Sequence, residues 1–344
     1  MHKTLLIILV FFFSCSVYGQ HDNKRKILYN LNKERVINLS NINSEYDDIN
    51  VYFLLYETRK DILIFSTSRA SNGQNFDLIS YKIKLHFDTR SRKGFIRAKE
   101  QDSDFLNMVN SDKDEFGPCI VFDHWYKWKY FSYTSNKSGS DNIYLINILD
   151  LDNNKLIAAR DEVVSHSINT DSNEGYLSYN ILAERSFTYQ SDEKGDFDIN
   201  GFSIPDSLNK LEKIPYIRGK ELNLDSLNTT WNEKFPYTKQ QVIVFCSDRP
   251  GGHGGYDIYY AKWNYDLKTY GTPRLFNNKI NSPKDEFRPF LIEISGITFL
   301  IFSSNRDNGL GGFDLYFASI NDIVYPDYLY GFTKRNKWYQ DDKE

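Results

Sequence analysis

Two pairs of adjacent carboxylates, Asp114-Glu115 and Asp285-Glu286, are the residues of this sequence that come nearest to a reaction. Glycoside cleavage needs two carboxyl groups at a set separation, one acting as acid and the other as base or nucleophile. Arg69 and Asp77, Arg249 and Asp257, and Arg306 and Asp314 stand eight residues apart, the right types for a bidentate ion pair across a hairpin. Lys137 and Asn142 are a softer version, and Glu193 with Asp198 puts two acids in the same place. The glycine runs at 251–255 and 309–312 could hold an anion through backbone amides. They match neither the phosphate-loop nor the dinucleotide pattern, and no helix follows them, so they read as tight hairpin turns. The six histidines are scattered without metal-ligand spacing, and no Gly-x-Ser-x-Gly elbow occurs. The residues therefore assign no metal, no cofactor and no nucleophile. One loop, Asp123–Lys129, carries His124, Trp125, Tyr126 and Trp128, a candidate stacking platform for a sugar, a peptide or a protein. The competing reading turns alternate members of that loop into the sheet interior.

The elements that must position these residues are repeats. An aromatic residue, a small or polar one, Ser or Thr, a polar residue and then usually a basic one recur at Phe65–Arg69, Tyr133–Lys137, Tyr189–Glu193, Phe245–Arg249 and Phe302–Arg306. Their middle residues, 67, 135, 191, 247 and 304, are separated by 68, 56, 56 and 57 positions. A Gly/Asn/Ser-rich turn follows each copy and leads to Phe76-Asp77, Asp141-Asn142, Phe197-Asp198, Tyr256-Asp257 and Phe313-Asp314. An acidic or Asn-containing opening precedes each, as in Asp114-Glu115-Phe116-Gly117-Pro118 and Asp285-Glu286-Phe287-Arg288-Pro289. Between the markers lie short apolar or alternating runs bounded by turn clusters, which read as strands, and no helical period stands out.

A unit of about 57 residues with three or four short strands suits one blade of a β-propeller. The segments Phe245–Tyr259 and Phe302–Tyr316, with the opening Asn281–Pro289, resemble the WD40-like repeat of TolB-type propellers, and the likeness runs over roughly 27–320. That resemblance implies an exported bacterial all-β propeller that works by contact with a protein or ligand. Many of its members add an OmpA-like peptidoglycan-binding domain, which is not expected in the 24 residues after 320. Five repeats (about 43–84, 110–150, 169–205, 228–265 and 281–320) predict five blades within a domain spanning 24–320. Val36–Leu39 precedes repeat 1 as Arg274–Asn277 precedes repeat 5, so a strand from the N-terminus is expected to complete the last blade. Six blades would need one without the motifs, and only the long gap between repeats 1 and 2 could supply it. Because an active site must break the symmetry of its ring, motif residues that recur in every blade read as staples of the fold. The paired carboxylates follow the symmetry and share that reading.

The chain has 344 residues with 42 basic and 46 acidic side chains, and a net charge of −4 gives no pull toward nucleic acid. Its 25 Tyr, 25 Phe and 5 Trp favour pleated strands. Residues 1–19 form a signal peptide with a nine-residue apolar core, Leu5 to Phe13, and no later stretch reaches the ~18 apolar residues of a membrane helix. A rival cut would leave Cys15 as a lipidated first residue. Cys119 and Cys246 fall in different repeats and are expected as buried thiols. Residues 321–344 form a charged, Tyr-rich tail. The resulting expectation is a non-catalytic, exported propeller of the periplasm or outer membrane, contacting an envelope protein or a glycan. The alternative is a carbohydrate-active enzyme with carboxylates at the propeller centre.

Overall fold

The computed structural model describes residues 26–30, 36–54, 61–122, 129–148, 163–164, 168–180, 185–204 and 219–320. Two strands, β1 (Lys26–Asn30) and β2 (Val36–Asn38), precede blade 1, which comprises β3 (Asp48–Leu54), β4 (Asp61–Thr67), β5 (Asp77–Asp88) and β6 (Lys93–Gln101). A six-residue helix, α1 (Asp104–Val109), leads to blade 2: β7 (Glu115–Phe122), β8 (Lys129–Ser135), β9 (Asn142–Ile148) and β10 (Val163–Val164). Blade 3 has β11 (Glu174–Asn180), β12 (Ser186–Ser191) and β13 (Asp198–Ser203). Blade 4 has β14 (Glu233–Lys239), β15 (Val242–Ser247), β16 (Asp257–Asn264), β17 (Thr269–Tyr270) and β18 (Arg274–Leu275). Blade 5 has β19 (Glu286–Ile294), β20 (Ile297–Ser304) and β21 (Asp314–Ser319), and β2 pairs beside β21.

This is an all-β, five-bladed propeller. Val36, Ile37 and Asn38 lie opposite Ala318, Phe317 and Tyr316, so the N-terminal strand closes the ring. The spare residues between repeats 1 and 2 do not build a sixth blade. They lengthen the β5–β6 hairpin, on whose outer edge β1 adds a fifth strand, and they form α1. The helix went unnoticed in the sequence because it is too short to show a period. Ser103 caps it, its Oγ accepting from the Leu106 N–H at 3.3 Å, and Phe105, Leu106 and Val109 bury its inner side.

Each second strand runs apolar without alternation because a blade has a neighbour on both faces. All six residues of β15 are buried, as are all six of β12. The core therefore divides into five clusters, one at each junction; Phe53, Leu63, Phe290 and Phe317 belong to the cluster that joins blades 5 and 1. Cys119 and Cys246 are buried free thiols. Among the described residues no helix is long and apolar enough to cross a membrane.

The innermost strands β3, β7, β11, β14 and β19 share one irregularity. Each breaks register two residues after its start, and the residue there has positive φ: Asn50 (65°), Gly117 (54°), Tyr176 (60°), Phe235 (57°) and Arg288 (57°). This is a β-bulge in every blade, and at Asn50, Tyr176, Phe235 and Arg288 it re-aims a side chain toward the central cavity. Proline follows at 118, 236 and 289, where a bulge needs no ladder N–H.

Candidate functional site

The first residue of each inner strand is an acid with no exposed surface: Asp48, Glu115, Glu174, Glu233 and Glu286 are all 0% accessible. Each carboxylate accepts from the N–H and the hydroxyl of the Ser or Thr four residues earlier. For Glu286 these are Ser282 N (2.7 Å) and Ser282 Oγ (2.6 Å); for Glu174, Thr170 N (2.8 Å) and Thr170 Oγ1 (2.7 Å). Each also accepts from a hydroxyl across the hairpin, as from Ser304 at 2.8 Å and Ser191 at 2.8 Å. These acids are staples, and that function absorbs Glu115 and Glu286.

The repeat's arginines complete the staple differently from the eight-residue spacing expected. Arg69 pairs with Asp48 at 2.7 Å, Arg249 with Glu233 at 2.9 Å and Arg306 with Glu286 at 3.0 Å, not with Asp77, Asp257 and Asp314. The Ser or Thr two residues before each arginine accepts from its Nε and turns the guanidinium back toward the inner strand. Two of the later aspartates turn into their own glycine loops. Asp257 accepts from His253 N (2.7 Å) and Gly254 N (3.2 Å), and Asp314 accepts from Gly311 N (3.1 Å). Those loops need glycine for close approach: a Cβ on Gly252 would stand 1.9 Å from Asp257 Oδ2. In blade 2 Lys137 donates to Tyr133 OH at 2.9 Å and lies over the Tyr144 ring, while Asn142 donates to Ser138 Oγ at 2.7 Å. Burial raises the pKa of Asp198. Blade 3 has exposed Glu193 at the arginine position, so Glu174 meets no cation among the described residues.

Just before each buried acid, at the mouth of the channel, sits a second ring of polar residues. Four blades pair one acid with one amide: Asp114 with Asn136, Asn173 with Asp192, Asn232 with Asp248, and Asp285 with Asn305. The inner-strand member also reaches the previous blade. Asp114 accepts from Phe76 N at 2.9 Å, Asn173 from Asp141 N at 3.0 Å, and Asp285 from Tyr256 N at 2.9 Å. These residues hold the ring together.

Against this regularity three residues break the pattern, and the ring brings them together. Phe76, Phe197, Tyr256 and Phe313 mark one position in four blades, where blade 2 has Asp141. Its carboxylate accepts no hydrogen bond among the described residues. Burial raises its pKa, Arg288 and Lys234 oppose that rise, and Asp114 and Asp192 add to it. Lys234 points its Nζ over the Phe197 ring, 3.9 Å from its centre, and burial lowers its pKa. Arg288 is boxed by Tyr176, Phe235 and Phe116, with its Cζ 4.1, 4.5 and 5.2 Å from their ring centres, and it donates to Tyr176 OH. Burial lowers its pKa, and its Nε and Nη1 are sealed from solvent without a partner. Phe76, Phe116, Phe287 and Phe313 extend the box as a contiguous aromatic wall. Below it lies a cavity of about 50 Å³, lined from all five inner strands by Asn50, Tyr52, Cys119, Tyr176, Tyr237 and Arg288 among others.

The carboxylates expected at the propeller centre thus stand at its mouth, and no Asp or Glu lines the cavity itself. No cluster suited to a metal ion occurs among the described residues. The stacking loop with His124, Trp125, Tyr126 and Trp128 lies outside the described residues, as do the signal peptide, Cys15 and the tail. Asp141 and Arg288 were hidden in the sequence inside the repeat they interrupt. Their signal was the mismatch with the same position in the other blades.

No family model and no curated relative matches the chain, so the resemblance to TolB-type WD40-like repeats is not upheld. Similar solved structures include glycoside hydrolases. An exo-β-1,3-galactanase from Phanerochaete chrysosporium, solved with galactose, has a TM-score of 0.52 at 8% identity, over 80% of this chain and 62% of that one. A thermostable family-43 glycoside hydrolase follows at 0.49 and 12%, over 80% and 89%. A GH62 α-L-arabinofuranosidase catalytic domain from Coprinopsis cinerea stands at 0.48 and 11%, over 83% and 93%. At such identities the likeness is one of fold. The ring is one on which an exo-β-1,3-galactanase is also built, and these likenesses do not uphold the expectation of a non-catalytic module.

Proposed function

We propose that this chain is an exported carbohydrate-active enzyme whose site is the mouth of the central channel. The observation that carries the reading is Asp141, a carboxyl group free of the staple network, partly buried and coupled to Arg288, Lys234 and two further acids. A carboxyl group whose pKa is raised by burial is the kind that glycoside cleavage uses as its acid. Asp141 would give its proton to the departing glycosidic oxygen. Asp192 is the candidate second carboxylate: Asn173 accepts from the Asp141 backbone N–H and donates to Asp192 from its own backbone N–H at 2.8 Å and from its side-chain amide at 2.7 Å, holding the two residues beside each other. The aromatic wall supplies faces for a sugar ring, and Lys234 and Arg288 balance charge beside the acid.

The test is a screen of the mature protein against aryl glycosides and polysaccharides, with released reducing ends as the readout. Hydrolysis that falls at least ~100-fold in Asp141→Asn, in line with the loss of a general acid, and persists in the exposed control Asp171→Asn would support the assignment. A folded protein without turnover on any glycoside, or full activity in Asp141→Asn, would overturn it.

A further inference from the structure

We infer that the ligand of this mouth carries an acidic group, as a uronic-acid glycan does, and that this group enters the central cavity toward Arg288. The inference rests on the site proposed above and goes beyond it by naming the charge of the ligand. A neutral sugar needs hydrogen-bonding partners and aromatic faces, which Asp114, Asp141, Asp192 and the surrounding rings already offer. It does not need two cations with unused donors. Arg288 Nε and Nη1 have neither solvent nor a partner, and only its Nη2 is engaged, by Tyr176. The Lys234 ammonium rests on the Phe197 and Tyr256 rings and forms no hydrogen bond or ion pair among the described residues. Buried donors are almost always satisfied, so an orphan of this kind asks for a reason.

Position adds to the case. Where blade 5 has Arg288, the other blades carry Asn50, Gly117, Tyr176 and Phe235, and where blade 4 has Lys234 they carry Ile49, Phe116, Gly175 and Phe287. Neither cation serves the repeat. The cavity beside Arg288, about 50 Å³, has room for a small polar group where a water needs roughly 10–15 Å³ on the same scale. Asp114, Asp192, Asp248 and Asp285 are hydrogen-bonded to amides and backbone N–H groups, whereas Asp141 acts on both cations and opposes an anionic ligand wherever it is ionised. An anionic group reaching inward would meet Arg288, which lines the cavity, with the rest of the sugar on the aromatic wall beside Lys234.

The experiment is calorimetric titration of a galacturonic acid trimer and of the matching neutral galactose trimer. It is done with the full mature chain and with its Asp141→Asn variant, each alone and combined with Arg288→Met or Lys234→Met. The acidic trimer should bind more tightly than the neutral one in both parents. Each cation variant should weaken it about tenfold or more, the scale of one charge-assisted hydrogen bond, and leave the neutral trimer unchanged. Lys234→Met keeps the test open if Arg288→Met fails to fold. Equal affinity for the two trimers in the parents, or a preference that survives both substitutions, would overturn the inference. Turnover of neutral glycans without acidic preference would remove this inference and leave the enzyme reading standing; acidic preference without turnover would do the reverse.

Discussion

Glu286 and Arg288 lie two residues apart on one strand and belong to different regimes. Glu286 has an equivalent in every blade, no exposed surface and a full set of partners: Ser282, Ser304 and Arg306. Arg288 has no equivalent in any other blade, and two of its nitrogens have no partner. The bulge between them turns the strand from one regime to the other. What repeats around the ring is the fold, and what fails to repeat gathers at the axis, where the five bulges carry Asn50, Gly117, Tyr176, Phe235 and Arg288.

The strongest way to break this comparison is to remove a staple. Glu286→Ala leaves Arg306 facing a void beside the orphaned Ser282 N–H and should cost about 3–5 kcal/mol, the scale for breaking a buried ion pair. Denaturant midpoints would show it, with Asp141→Asn below about 1 kcal/mol in the same series. A mouth substitution as costly as Glu286→Ala would mean that the mouth also holds the fold.

The fold was largely legible in the sequence, because each marker is fixed by a local need that recurs: an acid for the strand start, a hydroxyl across from it, glycines where an aspartate presses on a turn. The arginine's partner was not legible. Counting along the chain points to Asp314, eight residues on, whereas strand register sets Ser304 opposite Glu286. That register depends on a bulge that no residue type announces, since Asn50, Gly117, Tyr176, Phe235 and Arg288 all occupy it. The mouth was hidden for a related reason: Asp141, Lys234 and Arg288 come from three blades, and only ring closure makes them neighbours. The expected partners Asp77, Asp257 and Asp314 give way to Asp48, Glu233 and Glu286.

Blade 3 sharpens the comparison from the other side. It keeps the acid, the Thr and the Ser, yet has Glu193 where blades 1, 4 and 5 have arginine. The backbone is ready for the exchange: Glu193 N donates to Ser191 Oγ at 3.2 Å, as Arg306 N does to Ser304 Oγ at 3.1 Å. Glu193→Arg should therefore reach Glu174, as Arg306 reaches Glu286, and stabilise the protein by about 1 kcal/mol, a modest sum because the pair must also be desolvated. An unchanged or lowered midpoint would show that blade 3 differs from its neighbours in more than its missing cation.

The smallest effect expected is also the one that separates site from staple. Burial raises the pKa of Asp141 in the folded protein, so the native state holds this proton more tightly than the unfolded chain does. The stability this contributes is fully present below the unfolded value, ~3.9, and is lost as pH rises through the higher folded value. At pH 8 the ionised group therefore burdens the fold, and Asp141→Asn should be more stable than the parent, by less than about 1 kcal/mol because Arg288 and Lys234 already offset part of the cost. The gap should close as the pH falls toward 4. Urea midpoints of the two proteins at pH 8, 6 and 4.5 would trace it. A group retained at a cost to stability is the expected signature of a working site. If Asp141→Asn were instead the less stable protein at pH 8, Asp141 would join the staples, and the mouth would lose the one carboxyl group that sets it apart.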